Sequence, residues 1–382
     1  MASLGSVCRF LNGGTPSKAV AEYFDGDIPW ITSADISGPI ASYARSFITE
    51  DAVRKSAVNK VPAGSVLLVT RTGVGKVAVT ETELCFSQDI TAVIPESNKL
   101  DTGYLVHYLR TQKTHFQKLA RGATIKGITR NVVSDLSIPL PSLPEQRRIA
   151  VILDQADALR TKRREALVQL DSLTQSIFIE MFGDAQTIFN KWPTKKLGEI
   201  LDFLTSGSRG WAEYYADSGA LFLRIQNVCK DELKLDDVAF VNAPDSTEAK
   251  RTKVQEGDVL LSITADLGRT AVIPAGLGNA HINQHLSILR TSAVIPKYLS
   301  AFLTSPAGQR EILGRDKHGV KAGLNFDDIR SFRIPMPPQL LQHDFCQKVE
   351  TVEKQRVLHQ QALIELDSLF ASLQHRAFRG EL

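Results

Sequence analysis

Two kinds of hydrophobic pattern alternate along the chain. In the N-terminal part and again in the middle, apolar residues fall at every second position between glycine-containing turns, which predicts strand-rich domains. Each of these stretches leads into a segment with apolar residues three and four apart, at 103–120 and 296–313, which predicts a short amphipathic helix. A proline-rich exit and a much longer segment with the same spacing follow. The pattern therefore predicts an α+β chain in which one order of elements occurs twice.

The second occurrence is a true internal repeat. The segment VPAGSVLLVTRTGVGKVAV (61–79) aligns with VQEGDVLLSITADLGRTAV (254–272), an offset of 193 residues. Further along, IPLPSLPEQ (138–146) aligns with IPMPPQLLQ (334–342), an offset of 196 residues. The change of three residues falls between about 80 and 88, where one copy has the longer loop. Self-similarity of this kind indicates two copies of one structural unit.

The repeat also predicts where each element begins and ends. The prolines of each exit are tolerated only before or at the start of a helix, so they mark its first turn. We expect a first globular domain over 1–144, a spacer helix over 145–182, a second globular domain over 183–338 and a spacer helix over 339–382.

The two spacer segments carry a heptad-like stripe of apolar residues. The positions singled out for helix pairing are Ile149, Ile152, Leu159, Leu170, Leu173 and Ile177 in the first segment, and Val352, Leu366, Leu369 and Leu373 in the second. One polar residue stands at the equivalent place in each stripe, Arg163 and His359. Such a stripe can dock on its own domain or on another helix. Two long helices in one chain, each about 54 Å long at 1.5 Å per residue, favour an antiparallel coiled coil.

Composition and charge narrow the class without deciding the function. Hydrophobic residues make up 43% and charged residues 23%, as in ordinary globular proteins, and no apolar run is long enough for a membrane span. The N-terminus lacks the pattern of a signal peptide. Four widely separated cysteines without a CxxC pair indicate reduced thiols, and hence the cytoplasm. The net charge of +3 neither requires nor excludes a nucleic-acid partner.

Motifs that would indicate an enzyme or a metal centre are missing. RTGVGKVAV (71–79) has two glycines spaced as GxG, but it lies between two strand patterns and predicts a hairpin turn. His281 and His285 are four residues apart without a third ligand, in a segment that alternates like a strand. PMPP (335–338) lacks the Asn or Asp and the aromatic residue that flank the proline pair of adenine methyltransferases. We therefore predict no catalytic residues, no metal and no cofactor on this chain.

Several segments together resemble the specificity (S, HsdS) subunits of type I restriction–modification systems. They are DGDIPWITSADIS (25–37), SQDITAVIP (87–95), IPLPSLPEQRRIA (138–150), LDSLTQSIFIEMFGD (170–184) and LDSLFASLQHRAFRGEL (366–382). The resemblance covers essentially the whole chain. It implies two pseudo-symmetric α/β target-recognition domains, separated by two conserved helices that set the distance between them.

The same resemblance implies a function in a larger complex. Each domain would read one half of a split, asymmetric double-stranded DNA site. Methyl transfer would belong to two modification subunits and cleavage to restriction subunits, so S-adenosylmethionine, ATP and Mg²⁺ would be cofactors of those partners. Two alternatives stay open, namely the specificity subunit of a type IIB-like enzyme and a coiled-coil scaffold that does not bind DNA.

Candidate DNA-binding residues follow from the chemistry of base edges and phosphates, which are read mainly by Arg, Lys, Asn, Gln, Asp, Ser and Thr. In the first domain they are Arg71, Thr72 and Lys76 of the hairpin, Ser87 and Gln88, and Arg121, Thr124 and Lys126 of the loop RGATIK. In the second domain they are Arg209, Trp211, Arg224, Asn227, Asp266, Arg269, Asn283, Gln284, His285, Arg315, Lys317, His318 and Lys321. Because the loops differ between the copies while the framework repeats, we expect two different half-sites.

Overall fold

The computed structural model describes residues 1–122, 124–207, 209–315 and 323–382. Its contacts divide the chain into two units, Met1–Arg164 with Gln361–Leu382, and Glu165–Gln360. Unit 1 therefore contains the first globular domain, and unit 2 contains the second. The division falls inside both long helices, so each unit holds one part of each helix.

The strands of unit 1 form three sheets. They are β1 (Ala2–Ser3), β2 (Cys8–Asn12), β3 (Ile28–Ile31), β4 (Ile40–Ala41), β5 (Ser46–Ile48), β6 (Lys60–Val61), β7 (Val66–Val69), β8 (Val77–Thr80), β9 (Leu84–Phe86), β10 (Ile90–Pro95) and β11 (Ser137–Ile138). The largest sheet has the order β2-β10-β7-β8-β4, the second has the order β5-β3-β9-β6, and β1 pairs with β11. The hairpin predicted at 71–79 is confirmed, since β7 and β8 pair antiparallel on either side of that segment.

Short helices cover the sheets of unit 1, and a long one leaves it. They are α1 (Leu4–Val7), α2 (Glu50–Lys55), α3 (Thr102–Thr111), α4 (Lys113–Leu119), α5 (Arg130–Ser134) and the long helix α6 (Leu143–Phe182). The Thr49 hydroxyl caps α2 by accepting from Ala52 N–H, and the Asp101 carboxylate caps α3 by accepting from Tyr104 N–H.

Unit 2 is built from a matching set of elements. Its strands are β12 (Thr194–Lys196), β13 (Phe203–Ser206), β14 (Tyr215–Ala216), β15 (Ala220–Leu223), β16 (Ala239–Val241), β17 (Val259–Ser262), β18 (Thr270–Val272), β19 (Ala280–Ile282), β20 (Leu286–Arg290) and β21 (Arg333–Pro335). Its helices are α7 (Ile188–Lys191), α8 (Thr247–Thr252), α9 (Pro296–Thr304), α10 (Pro306–Leu313), α11 (Phe326–Arg330) and the long helix α12 (Gln339–Ala377).

The strand order confirms the internal repeat. In unit 2 the order β13-β20-β17-β18 reproduces β2-β10-β7-β8 of unit 1. The parallel pair β15–β19 reproduces the parallel pair β3–β9, and β12–β21 reproduces β1–β11. Both units therefore combine mostly antiparallel sheets with helices, which is the α+β class that the hydrophobic pattern predicts.

The central strand of each large sheet is buried on both faces. In β7, Val66 and Leu68 belong to the core cluster that includes α3, while Leu67 and Val69 belong to the cluster between the two sheets. Successive side chains of a strand point to opposite faces, so one short strand contributes to two cores. This explains why β7 reads as a continuous apolar run instead of an alternating pattern.

The amphipathic segments predicted as single helices are each two helices. In unit 2 the break lies at Ser305, whose hydroxyl caps α10 by accepting from Gly308 N–H, and Pro306 opens the new helix. Proline lacks the N–H that would continue α9, so the chain has to begin again there. In unit 1 the break lies at Gln112, between α3 and α4.

The long helices pair antiparallel within each unit. In unit 1 the Arg160 guanidinium of α6 lies 2.6 Å from the Asp367 carboxylate of α12, and Arg148 donates at 2.8 Å to the carbonyl of Leu382. In unit 2 the Phe178 ring of α6 lies 5.6 Å from the Phe345 ring of α12. The helices also pack on the globular domains. The apolar stripe therefore docks both on a globular domain and on another helix, which were the two possibilities left open by the sequence.

The predicted pairing stripe is wrong at three positions. The side chains of Leu159, Leu173 and Leu369 are 55%, 40% and 51% exposed, whereas Leu153 is 0% and Phe370 is 8% exposed. At these points the buried face of each helix therefore lies one residue away from the apolar stripe predicted from the sequence. The reason is that the inner face also has to fit the globular domain, which a heptad count along the helix does not take into account.

The other predicted pairing positions lie on the inner faces. Ile149 is buried in the core of unit 1, and Leu373 packs against the same cluster. Ile177 packs against the core of unit 2, and Val352 is 8% exposed. Ile152, Leu170 and Leu366 are half-buried. None of the described helices is both long and apolar enough to cross a membrane.

Candidate nucleic-acid interface

The hairpin between β7 and β8 is the centre of the candidate surface in unit 1. It turns through Thr72 and Gly73, which have positive φ values of 49° and 112°. A threonine in this region is unusual, because its branched side chain crowds the backbone. The turn ends at Gly75, where an added Cβ would lie 3.1 Å from the Lys113 backbone. The tight turn thus holds Arg71 and Thr72 out from the end of the sheet.

Backbone hydrogen bonds bring two further loops to this hairpin. Thr70 N–H donates to the Asp89 carbonyl at 2.8 Å, which places the loop containing Gln88 beside the turn. Ile128 N–H donates to the Thr70 carbonyl at 2.9 Å. Arg121 and Gly127 bond each other through both N–H groups, closing the loop RGATIK. Three segments that are distant in sequence therefore form one surface, which we term the first recognition surface.

Unit 2 repeats these bonds at the equivalent residues. Ile263 N–H donates to the His285 carbonyl at 2.9 Å, and Leu324 N–H donates to the Ile263 carbonyl at 2.9 Å. Thr264 bridges to Gly323 as Arg71 bridges to Gly127. The positive φ of Thr72 recurs at Ala265, with a value of 63°. We term the corresponding face of unit 2 the second recognition surface.

Most candidates on the first recognition surface are accessible. The side chains that lie exposed to solvent are Arg71, Thr72, Gln88, Arg121, Thr124 and Lys126. Guanidinium and ammonium groups suit phosphate oxygens and guanine edges, and the amide of Gln88 suits an adenine edge. These six residues stay predicted DNA contacts, and backbone hydrogen bonds bring the three segments that carry them together.

Two candidates in unit 1 have a different role in the structure. The Lys76 ammonium donates to the carbonyls of Ile36 at 2.9 Å and Ser33 at 3.3 Å, so it ties the hairpin to the neighbouring loop. Ser87 is 3% exposed, and its hydroxyl is buried without a described hydrogen-bond partner. A side chain enclosed in this way does not reach DNA, so the sequence-based selection of Ser87 is corrected.

The second recognition surface presents different chemistry. Asp266 and Arg209 are exposed, while Gln284 and His285 are half-buried. The His285 ring shares a 2.5 Å hydrogen bond between its Nδ1 and the Thr264 hydroxyl. Arg71 and Asp89 of unit 1 are replaced by Thr264 and His285, so the same framework carries other donors and acceptors.

Three candidates in unit 2 are core residues. Trp211 is 4% exposed and stacks on Phe222 with ring centroids 5.5 Å apart. Asn227 is 2% exposed and its amide donates to two backbone carbonyls, of Lys234 and Asp237. Asn283 is 9% exposed, and its side chain accepts from His285 N–H. Their polar or aromatic character serves packing and loop closure, which a sequence pattern does not distinguish from DNA contact.

Three arginines of unit 2 are held by internal carboxylates or carbonyls. Arg269 bonds Asp266, Arg224 bonds Asp237 at 3.2 Å, and Arg315 bonds Glu311 at 3.2 Å. Arg224 and Arg315 therefore support loops instead of extending from them. The candidates Lys317, His318 and Lys321 lie outside the described residues.

The sequence reasoning missed one accessible group in unit 1. Around β4 and β5, the side chains of Tyr43, Ile40 and Phe47 are 68%, 55% and 43% exposed. Arg45 lies beside them and donates at 2.5 Å to Asp35. Burial acts to raise the pKa of Asp35, but hydrogen bonds from Arg45 and Thr32 hold it below its usual value. In the segment SYARSF (42–47), Tyr43, Arg45 and Phe47 stand at alternate positions, and this pattern could have indicated the group from the sequence.

Nothing in the described part of the chain suggests a metal centre. Among those residues, no three His, Cys, Asp or Glu side chains are grouped so that they could hold an ion. His281 is buried, and burial together with nearby Lys253 lowers its pKa. It contacts Trp211 with ring centroids 5.3 Å apart, so it is a packed core residue.

Comparison with known proteins finds similarity to the specificity subunits of type I restriction enzymes. A family model described as a type I restriction modification DNA specificity domain matches residues 1–169. The MjaIX specificity subunit of Methanocaldococcus jannaschii is 23% identical over 97% of this chain and 90% of that protein. The EcoKI specificity subunit of Escherichia coli K12 is 25% identical over 100% of this chain and 89% of that protein. The EcoR124I/EcoR124II specificity subunit of Escherichia coli is 32% identical, over 50% of this chain and 48% of that protein.

Solved structures have the same fold along the whole chain. The S subunit of a type I restriction–modification system from M. genitalium gives a TM-score of 0.60 at 16% identity, covering 98% of this chain and 95% of that one. A chain from a structure describing complex assembly and conformational transition of the type I R-M system gives 0.63 at 20% identity, covering 100% and 97%. Along its whole length the chain is therefore similar in sequence and in fold to the specificity subunits of type I restriction–modification systems.

Proposed function

We propose that the chain reads a bipartite, asymmetric DNA site, with one half-site bound by the first recognition surface and the other by the second. The observation that carries this proposal is the repeated backbone framework with unlike side chains. The hydrogen bonds from Thr70 and Ile263 are equivalent, yet Arg71 stands where the second unit has Thr264. Two copies of one scaffold with different donors and acceptors suit two different base sequences.

The long helices would set the spacing between the half-sites. The helix α6 has 40 residues and α12 has 39. At 1.5 Å per residue, such helices span about 60 Å. In DNA-binding proteins with two reading elements, the distance between half-sites mirrors the protein's own geometry. A fixed number of unread base pairs between the two half-sites is therefore expected.

Catalysis belongs, in this proposal, to partner subunits. The chain would dock two modification subunits and the restriction subunits, in the cytoplasm. The modification subunits would bring S-adenosylmethionine, and the restriction subunits would bring ATP and Mg²⁺. Methylome sequencing of cells that express the chain with its modification subunit tests the site. An asymmetric two-part motif is expected, and a palindromic motif would contradict the proposal.

A paired substitution tests the role of the first recognition surface. Arg121→Ala with Lys126→Ala removes two exposed cations from one loop. The affinity for the first half-site should therefore fall, while the affinity for the second half-site should stay unchanged. The slope of log affinity against log salt is negative, and its magnitude should decrease by about 0.9 for each phosphate that the variant no longer neutralises. Arg54→Ala with Lys55→Ala, which removes two exposed cations from helix α2, is the matched control. Unchanged affinity and slope in the loop variant would count against the assignment.

A further inference from the structure

Unit 1 contains a cationic cleft that adjoins the hairpin of the first recognition surface. Its volume is about 560 Å³, and it is bounded by the segment 36–39, the hairpin β7–β8, helices α3 and α4, and the two long helices. Six charged residues line it, namely Lys76, Arg110, Lys113, Asp157, Arg160 and Arg164. We call this space the α6 cleft.

The cationic side chains of the α6 cleft outnumber the carboxylates that form ion pairs with them. Arg160 pairs with Asp157 at 2.8 Å and with Asp367 at 2.6 Å, and Arg164 pairs with the same Asp367 at 2.8 Å. Two carboxylates thus serve both of these arginines and also Arg110, which lies 3.8 Å from Asp157. Lys113 is exposed and has no ion-pair partner among the described residues.

Unit 2 shows what occupies the equivalent place. Arg356 stands 196 residues after Arg160 in the repeat, and it bonds Glu232 at 2.8 Å. Beside it, Lys297 lies 3.1 Å from Asp231, whose backbone adopts a positive φ of 59°. Both carboxylates belong to the acidic segment KDELKLDD (230–237), which lines the cavity beside α6 and α12 within that unit.

The corresponding segment of unit 1 lacks acidic residues. The turn that precedes it is closed in the same way in both units: Asp35 accepts from Thr32 N–H, and Asn227 accepts from Arg224 N–H. After this turn, unit 1 continues as Ile-Ser-Gly-Pro (36–39), whereas unit 2 continues into the acidic segment. The arginine of the long helix is therefore present in both units, as Arg160 and Arg356, but only unit 2 supplies an acidic loop from its own chain.

We propose that the α6 cleft binds an acidic segment of a partner protein, whose carboxylates take the place that Asp231 and Glu232 take in unit 2. The inference rests on the proposed function in one respect, that the chain assembles with protein partners. Ion pairing of this kind adds mostly to specificity and association rate, and it weakens with salt. Docking there would also place the partner next to Lys76, which holds the recognition hairpin.

A peptide with the sequence of residues 230–237, labelled with fluorescein, is the probe for the full chain. Binding measured by fluorescence anisotropy at low salt should weaken at least fivefold in Lys113→Gln with Arg164→Gln. The second substitution installs the residue that stands at the equivalent position, Gln360. Lys250→Gln, at a surface residue of unit 2 that is 75% exposed, is the control and should bind like wild type. Lys113→Gln alone provides a milder variant if the pair lowers the melting temperature.

The outcomes separate the possible occupants. The inference would be overturned if the peptide did not bind the wild-type chain, or if it bound the double variant equally well. It would also be overturned if a peptide with its four acidic residues replaced by amides bound as well as the original. A variant that loses random-sequence duplex but keeps the peptide would show that the cleft contacts phosphates, which also overturns it. A wild-type chain that binds the peptide but no DNA would overturn the proposed function and leave the inference standing.

Discussion

The side-chain oxygen of Gln146 accepts a hydrogen bond of 2.8 Å from the backbone N–H of Asp101. Its amide nitrogen donates to the carbonyls of Pro141 at 2.9 Å and Lys99 at 3.0 Å. In unit 2, Gln342 makes the equivalent bonds to Ile295 N–H at 2.9 Å and to the Pro337 carbonyl at 2.9 Å. Both glutamines are almost fully buried. One glutamine thus joins the long helix, its proline exit and the preceding short helix in each unit.

Replacing Gln146 by leucine should destabilise unit 1. The change removes the side-chain partner of three part-buried backbone groups, and a fully buried group left unsatisfied costs about 1–3 kcal/mol. Because leucine recovers some burial, a net loss of about 2–4 kcal/mol is expected in urea unfolding. Gln155→Leu, at an exposed position of α6, is the control and should change stability by about 0.5 kcal/mol or less. Equal unfolding midpoints for the two variants would show that the bonds of Gln146 are not needed.

The ion pairs that join the long helices differ in length between the units. Arg160 lies 2.6 Å from Asp367, whereas its counterpart Arg356 lies 3.9 Å from Asp171, which is more exposed. Asp367→Asn should therefore cost about 1 kcal/mol after allowance for solvent screening, and Asp171→Asn less than about 0.5 kcal/mol. The difference should shrink in 1 M salt. A larger effect at Asp171, or no salt dependence, would contradict this ranking.

The orientation of helix α6 can be tested at two leucines six residues apart. Leu153 is 0% exposed and belongs to the core of unit 1, whereas Leu159 is 55% exposed. Leu153→Ala should cost about 2–5 kcal/mol, because it removes buried methyl groups and leaves a cavity. Leu159→Ala should change stability by about 0.5 kcal/mol or less. Thermal unfolding of both variants checks the prediction, and a greater loss at Leu159 would restore the stripe read from the sequence.

Two buried histidines predict a loss of stability in mild acid. Burial lowers the pKa of His107 below 6.5, despite its 2.8 Å hydrogen bond to Asp154, and burial with nearby Lys253 lowers the pKa of His281. Below about pH 6.5 the unfolded chain therefore binds more protons than the folded chain, so folding is disfavoured as the pH falls.

Urea unfolding between pH 7.5 and 5.5 measures this effect. The midpoint should decrease over that range in the wild-type chain. It should decrease less when His107 and His281 are both replaced by glutamine, which does not titrate. If the double variant kept the full pH dependence, carboxylates and not these histidines would be its source.

The sequence by itself determined the repeat, the α+β class and the two long helices. These follow from local regularities: glycines recur where both copies turn with positive φ, as at Gly75 and Gly268, and prolines recur at both helix starts. It also determined that the hairpin and the loop RGATIK are candidates, because both carry basic residues at equivalent points of a repeated framework. Such features depend on residues close together in the chain, or on comparison of one copy with the other.

Only the tertiary structure decided which side chains face solvent. Trp211 and Asn227 share the composition of DNA-contacting residues but fill a core and close a loop. Leu369 fits the heptad as well as Phe370, yet the surface of the globular domain selects Phe370. The bond between Arg160 and Asp367 joins residues 207 apart. Burial and ion pairing depend on what lies opposite a side chain, and in this chain the opposing residue is often some two hundred positions away.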